Sequence, residues 1–436
     1  MSDRKIKISF YLANQGYPHV DLRFPEKGNP GIGGTEFTTI ATAYYLEKFY
    51  SHYVDVLLMA NIADFLPSSL KVFSAANEVE AAIKSEQEGC DIFVFKSRMG
   101  NHEIYEVLPK LKIKAIARSN NTPDVIGLRK IADCQQIKAH VCVGQEQLDL
   151  LRDHRIFSKS IRIFDLFNPE NFIPKDNIIK QGNTVVFLGN IIPAKGFHHL
   201  ARVWPFIIKH RPDAKLIVLG SGQLYDRNLQ LGKWGVAQES YEAKYIRPYL
   251  SDGQGNLISS VHFVGILDQQ KINVLQAADV GVVNPSGVSE VCPGSALEIQ
   301  ACGTPVVSAA EWGLLDTVVH GKTGLLGNSE RDLARNILYL LNNPAKAKEL
   351  GQNGISFVRE TFDFRLITKQ WFELIVEVFY NRVPPAQSLK NNYFYRAKLL
   401  REGMRIIKSS IPALKNIPAI IEMKYLMKEH IKKLSF

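Results

Sequence analysis

Asn284-Pro285-Ser286-Gly287-Val288-Ser289-Glu290-Val291-Cys292-Pro293-Gly294-Ser295-Ala296-Leu297-Glu298-Ile299-Gln300-Ala301-Cys302-Gly303-Thr304-Pro305-Val306-Val307 follows a short apolar run at 280–283 and reads as loop, helix and strand. Its prolines and glycines punctuate the chain: Gly294 opens the helix, and Gly303 closes it ahead of the next strand. Strand, loop, helix and parallel strand form the repeating unit of an α/β sheet. Glu290 lies in the loop at the C-terminal end of the first strand, and Glu298 sits roughly one turn inside the helix, so both can face a cleft. A carboxylate accepts two hydrogen bonds from a vicinal diol such as that of ribose or a hexose, while a helix N-terminus suits a diphosphate. For either glutamate alone, a solvated helix face explains the residue as well.

Outward from this unit the alternation persists. Apolar runs at 6–12, 54–59, 91–95, 114–118, 139–143 and 161–165 predict strands, with helices at about 36–49, 77–87 and 145–153. A polar break at 168–183 precedes a second series at 184–188, 215–219, 261–264, 280–283 and 305–308. Two βα domains are expected, 1–170 and 171–365, with ligands bound in a cleft between facing strand ends. Residues 221–260 fit neither series and read as an insertion, either a surface excursion or a cap on the cleft. Apolar residues spaced by three and four predict a helix across 364–380, assigned with its flank to a segment 366–383 that returns toward the N-terminal domain, and Pro384-Pro385 should end it.

Composition narrows the function. Of 436 residues, 46% are hydrophobic and 22% charged, which describes a folded chain rather than a disordered one. Five cysteines without a CxxC pair exclude a zinc ribbon or disulfide framework and suggest a reducing compartment. The charged start followed by a strand-length apolar run is too short for a secretory signal, and no apolar stretch is long enough to span a membrane. A cytoplasmic protein is therefore expected. The net charge of +10 is concentrated at one end: residues 382–436 hold 12 Lys/Arg against three Glu, and the rest of the chain carries only +1. A nearly neutral body without zinc-finger or RNP signatures excludes nucleic acid as the partner.

Gly31-Ile32-Gly33-Gly34-Thr35-Glu36 follows the first strand and opens a helix, so its amides can meet a phosphate. It fails the dinucleotide pattern because Glu36 stands where a third glycine is needed, and alone it fits a tight structural turn equally well. Gly321-Lys322-Thr323 is no P-loop, since Asp316 occupies the required upstream glycine position.

Glu290 and Glu298, separated by seven residues and followed by Ala301-Cys302-Gly303-Thr304-Pro305-Val306-Val307, resemble the Glu-x7-Glu signature of the family 4 retaining glycosyltransferases. Gly33-Gly34-Thr35-Glu36 is similar to that family's glycine loop, 187–196 to its "GR…KG" segment, and 321–326 to its G-x-T-G-L-L turn. The resemblance covers 6–380 and implies a GT-B architecture, two Rossmann-like domains facing across a cleft. It further implies Lys195 on the donor diphosphate, Glu298 on the ribose, Glu290 beside the transferred sugar, and Gly33 and Gly34 amides on the distal phosphate. Three departures stand out. Asn190 replaces the basic residue expected after Gly189; Pro293 has no N–H, leaving Gly294 and Ser295 as the nearest donors; and Arg118 stands near where relatives often carry His, as a candidate compensating cation or a salt-bridge partner.

The expected activity is transfer of a sugar from a nucleotide-sugar donor to a saccharide or lipid-linked acceptor hydroxyl, with retention, in polysaccharide or glycolipid biosynthesis. No cofactor is expected, and no divalent ion, because no cleft loop offers a DxD pair. The alternative is a non-catalytic GT-B subunit binding a nucleotide sugar or a partner enzyme; an epimerase or phosphorylase fits the Glu-x7-Glu context less well. The basic helical tail, 384–436, has two readings. Residues 395–436 can lie on an anionic membrane surface, making the protein peripheral at the inner face, or their apolar stripe can pack on the body with the lysines solvated.

Overall fold

A computed structural model describes residues 4–97, 99–100, 102–175, 178–180, 182–224, 228–288, 290–382, 387–414, 417–423 and 425. The strands are β1 (Ile6–Leu12), β2 (Val54–Ala60), β3 (Lys71–Ser74), β4 (Ile92–Lys96), β5 (Lys114–Ser119), β6 (Ile137–Cys142), β7 (Ser160–Arg162), β8 (Thr184–Leu188), β9 (Lys215–Leu219), β10 (Val261–Gly265), β11 (Val280–Val282), β12 (Val306–Ala309) and β13 (Gly324–Gly327). They form two parallel sheets, ordered β3-β2-β1-β4-β5-β6-β7 and β10-β9-β8-β11-β12-β13. In both, the order reverses beside the first strand, as in doubly wound nucleotide-binding folds. The chain forms two compact units: Met1–Pro25, Thr35–Leu166 and Arg365–Phe436 make one, and Glu26–Gly34 with Phe167–Phe364 make the other.

In the first unit, helices bury both sheet faces, so the central strands are apolar runs rather than alternating ones. Phe10, Leu57, Phe93, Ile116 and Val141 are fully buried. The helix Phe364–Phe379 enters this unit with the expected periodicity: Trp371 meets Phe10 edge-on at 6.1 Å, and Phe372 stacks on Tyr50 at 4.2 Å. The prolines expected to end it lie outside the described residues. Two expectations need correction. The strand expected at 161–165 is β7, which stops at Arg162, and the helix expected across 145–153 spans only Gln145–Asp149. β3 carries no strand signal in the sequence because this edge strand is largely exposed and lacks an apolar run.

The tail joins this unit through the helix Lys398–Ser410. Lys398 and Arg401 are not solvated; both are buried against Glu146, Asp149 and Asp153. Lys428 and Lys432 of the expected second tail helix lie outside the described residues, as does Lys424.

The second unit packs Phe187, Phe197, Trp204 and Ile207 beneath its sheet. The surface excursion expected at 221–260 is not what the described residues of that segment form. Val236, Ala237, Tyr241, Ile246 and Leu250 enter this core, and the Tyr241 hydroxyl accepts from the His198 amide at 3.1 Å. The apolar positions were in the sequence, but spread through polar turns they showed no period. β13 stands where the sequence predicts a turn. A Cβ on Gly324 would lie 2.2 Å from the Val306 carbonyl oxygen, so the glycine lets the edge strand close on β12.

Candidate functional site

The second unit gathers its chemistry at the C-terminal ends of β8 and β11, the neighbouring strands at which the strand order reverses. After β8 the chain passes Asn190 and forms a single 3-10 turn, Pro193–Lys195, ended by Gly196 at φ 69°. A Cβ on Gly196 would lie 2.5 Å from the Ser286 amide nitrogen, so only glycine allows the two loops to close on each other. The Ser286 hydroxyl has two acceptors within reach of its one proton, the Ala194 carbonyl at 2.8 Å and Asn284 Oδ1 at 2.6 Å. Asn284 is held at φ 33°, a conformation Asn tolerates better than most residues. Its Oδ1 also accepts from the Gly287 amide at 3.1 Å, and its Nδ2 donates to the Val288 carbonyl at 3.0 Å.

This scaffold aims Glu290. Its carboxylate is nearly buried, accepts from Asn284 Nδ2 at 2.9 Å and pairs through Oε1 with Lys195 Nζ. The Glu290 carbonyl in turn accepts from the Gly313 amide at 2.9 Å. Lys195 and Glu290 are thus brought together from loops 95 residues apart. Glu298 sits in the helix Gly294–Ala301 and receives Lys271 Nζ at 2.8 Å, both side chains largely covered. Gly294 is exposed at the start of that helix, Ser295 follows it, and the space where a Gly294 side chain would stand is open. The first amides of a helix have no intrahelical acceptor and carry partial positive charge.

Asn190 is 1% exposed, and neither its Oδ1 nor its Nδ2 has a hydrogen-bond partner among the described residues. An unsatisfied buried amide costs about 1–3 kcal/mol. In the glycine turn, Asn29 Oδ1 accepts from the Gly31 and Ile32 amides at 2.9 Å each. Gly33 is buried, and Gly34 opens the helix Gly34–Tyr50 with free space on its Cα.

Arg118 belongs to the first unit, on β5. It is buried and donates to the Thr38 hydroxyl at 2.5 Å, the Thr39 hydroxyl at 2.9 Å and Asp165 Oδ1 at 2.5 Å. The salt bridge expected at the surface is present but buried. Burial pushes the Asp165 carboxyl up, with Arg118 opposing that shift.

Lys271, Asn284 and Ser286 are site residues that sequence reasoning passed over. Asn-Pro-Ser-Gly is a legible turn, whose asparagine is the residue suited to a left-handed position. Lys271 carries no local signal, since only the fold brings it to Glu298. Among the described residues no cluster of His, Cys, Asp and Glu is arranged to hold a metal ion.

Solved structures share this architecture. Sucrose-phosphate synthase from Thermosynechococcus elongatus superposes with a TM-score of 0.66 at 18% identity, over 86% of this chain and all of that one. Anabaena HepE, solved with UDP and glucose, gives 0.60 at 16% identity, over 85% of this chain and all of that one. The fold is GT-B. Within this GT-B chain, residues 169–357 match the model of the family described as glycosyl transferases group 1. Among curated relatives, a GDP-mannose-dependent monoacylated alpha-(1-6)-phosphatidylinositol monomannoside mannosyltransferase of Corynebacterium glutamicum is 29% identical over 41% of this chain and 42% of its own. A D-inositol 3-phosphate glycosyltransferase 2 of Catenulispora acidiphila is 31% identical over 39% and 38%. The match spans about two-fifths of each relative's length. The family-model match falls on the unit that holds Lys195, Glu290 and Glu298.

Proposed function

We propose that this chain is a family 4 retaining glycosyltransferase, moving a sugar from a nucleoside diphosphate donor to a hydroxyl of a saccharide or lipid-linked acceptor. The observation that carries the reading is the Lys195–Glu290 pair at the ends of β8 and β11, inside the stretch matched by the group 1 family model. In the reaction the bond between the anomeric carbon and the diphosphate oxygen breaks, its electron pair leaving with the diphosphate. The acceptor oxygen bonds the same carbon on the same face and gives its proton to the departing phosphate oxygen, so no side-chain base is required. Negative charge grows on the leaving group, and catalysis consists largely in meeting it. Lys195, the Gly33 and Gly34 amides and the first turn at Gly294 and Ser295 are assigned to that task. Glu298 is assigned to the ribose diol and Glu290 to the transferred sugar. Asn190, with two unpartnered polar atoms, is assigned to the donor in place of a cation.

Relatives support this substrate class: HepE was solved with UDP and glucose, and the corynebacterial relative is named for a GDP-mannose donor and a phosphatidylinositol glycolipid. The test is a thermal-shift panel of nucleotide sugars, followed by NMR of the product. A donor at 100 times its Kd stabilises by about 2.7 kcal/mol, and the product's anomeric coupling must match the donor's configuration. An inverted product refutes retention. Binding without release of nucleoside diphosphate favours the non-catalytic subunit, a reading motivated by Asn190.

A further inference from the structure

The helix Lys398–Ser410 is amphipathic in the reverse sense. At 100° per residue, Lys398, Arg401, Arg405 and Lys408 fall on one side, while Leu399, Leu400, Ile406 and Ile407 fall on the other, continued past its end by Ile411. The charged side faces the protein. Lys398 Nζ lies 2.7 Å from Glu146 Oε1 and 3.0 Å from Asp149 Oδ2, Arg401 NH1 lies 3.0 Å from Asp153 Oδ1, and Lys408 Nζ donates to the Asp153 carbonyl at 2.8 Å. The apolar side faces outward: Leu400 is 59% exposed and Ile406 51%, with Leu399, Ile407 and Ile411 close to half exposed. Phe394, four residues before the helix, is 90% exposed.

A helix packed only for stability turns its apolar stripe inward. Here buried ion pairs, which gain little net stability over apolar packing, hold that stripe toward solvent. A contiguous exposed apolar face marks an interaction surface, and charge selects its occupant. The tail's glutamates are already engaged, Glu402 by Arg152 and Arg405 and Glu422 by Arg129, with Glu429 outside the described residues. Lys390 and Arg396, which precede the helix in sequence, are exposed, and the sequence from 415 onward adds Lys415, Lys424, Lys428, Lys432 and Lys433. Pairing with a second copy would bring two such basic segments together. An apolar face on a segment whose sequence, 382–436, holds 12 Lys/Arg against three Glu suits an anionic surface with an apolar interior.

We propose that the outward face of Lys398–Ser410, with Phe394, lies in the plane of an anionic lipid bilayer, its apolar side chains among the acyl chains and the flanking cations at the headgroups. The proposal uses no residue of the donor site and stands or falls apart from the transfer reading.

The test is co-sedimentation of the full chain with vesicles of phosphatidylcholine alone or mixed equally with phosphatidylglycerol, at low and high salt. The expected result is at least tenfold stronger partition onto the mixed vesicles, diminished by salt. Leu400→Ser/Ile406→Ser/Ile407→Ser should lose at least tenfold of that partition while the chain stays folded, with its melting temperature lowered by only a few degrees, because these side chains are about half exposed or more. Lys428→Glu/Lys432→Glu, which changes no residue of the helix Lys398–Ser410, should weaken binding to the mixed vesicles only. Equal partition of the wild-type chain and both variants overturns the proposal. So does a wild-type dimer, in the absence of lipid, that the triple substitution converts to monomer, since the face would then belong to a second copy.

Discussion

Glu290→Gln separates donor binding from transfer. In the structure one carboxylate oxygen takes both the Lys195 ammonium and the Asn284 amide, with Lys195 partly and Glu290 almost wholly covered. The amide oxygen of Gln can still accept one of these donors, but the charge is gone. Hydrogen bonds to charged groups contribute about 1.5–3 kcal/mol and neutral ones about 0.5–1.5, so folding stability should fall by roughly 1 kcal/mol. The same quantity appears with opposite sign in binding. A diphosphate must draw Lys195 away from Glu290 in the wild-type chain and need not do so in the variant. Nucleoside diphosphate affinity should therefore rise by about fivefold to tenfold. Transfer should fall by about 10²-fold, because the group beside the sugar has lost its charge. Isothermal titration with the nucleoside diphosphate and a coupled release assay read the two effects separately. Equal losses of affinity and turnover, or no change in either, would refute the pairing as the organising contact of the site.

Glu298→Gln should weaken nucleotide binding by about tenfold, since the ribose diol loses a charged acceptor; Lys271→Met should weaken it less, and calorimetry ranks the two. Asn190→Arg should raise donor affinity if the loop after β8 accommodates the longer side chain, and a drop in affinity would show the space already filled. Lys398→Met removes the ammonium that Glu146 and Asp149 share in the interior of the first unit, leaving Asp149 to Arg152 and Glu146 without that cation where burial already pushes the carboxyl up. Its tail should detach at a cost of about 3–5 kcal/mol, read as rapid cleavage within 390–425 by added protease. His140 is fully buried between the Ser119 and Ser160 hydroxyls, and desolvation holds its pKa down to about 3. Between there and the unfolded value near 6.5 the unfolded chain binds the extra proton, so stability falls as pH drops through that window. The loss from His140 is about 2 kcal/mol between pH 7 and pH 5, measured by urea unfolding, and His140→Asn should flatten the slope.

What could be read from the sequence follows the length of the physical signal. The buried central strands and the strand–loop–helix around Glu290 and Glu298 announce themselves through unbroken apolar runs and glycine punctuation. Edge strands β3 and β13 do not, because an exposed edge and a glycine-led strand lack the apolar run that marks the others. Lys195 and Glu290 were nominated separately, yet their contact depends on the closure of Gly196 against Ser286, which no local pattern encodes. The tail shows the same limit. Its three-and-four spacing was visible, but which side faces the protein depended on Glu146, Asp149 and Asp153, some 250 residues away in sequence.

The most direct measurement of the central claim is release of nucleoside diphosphate by the purified full chain from a panel of nucleotide sugars, with and without saccharide and glycolipid acceptors, beside Lys195→Ala. The account predicts that one donor is consumed, faster with the right acceptor, and that Lys195→Ala slows release by about 10²-fold, the roughly 3 kcal/mol of one charge-assisted contact to the leaving group. Binding of a donor without release under any pairing, or equal rates in wild type and variant, would contradict it.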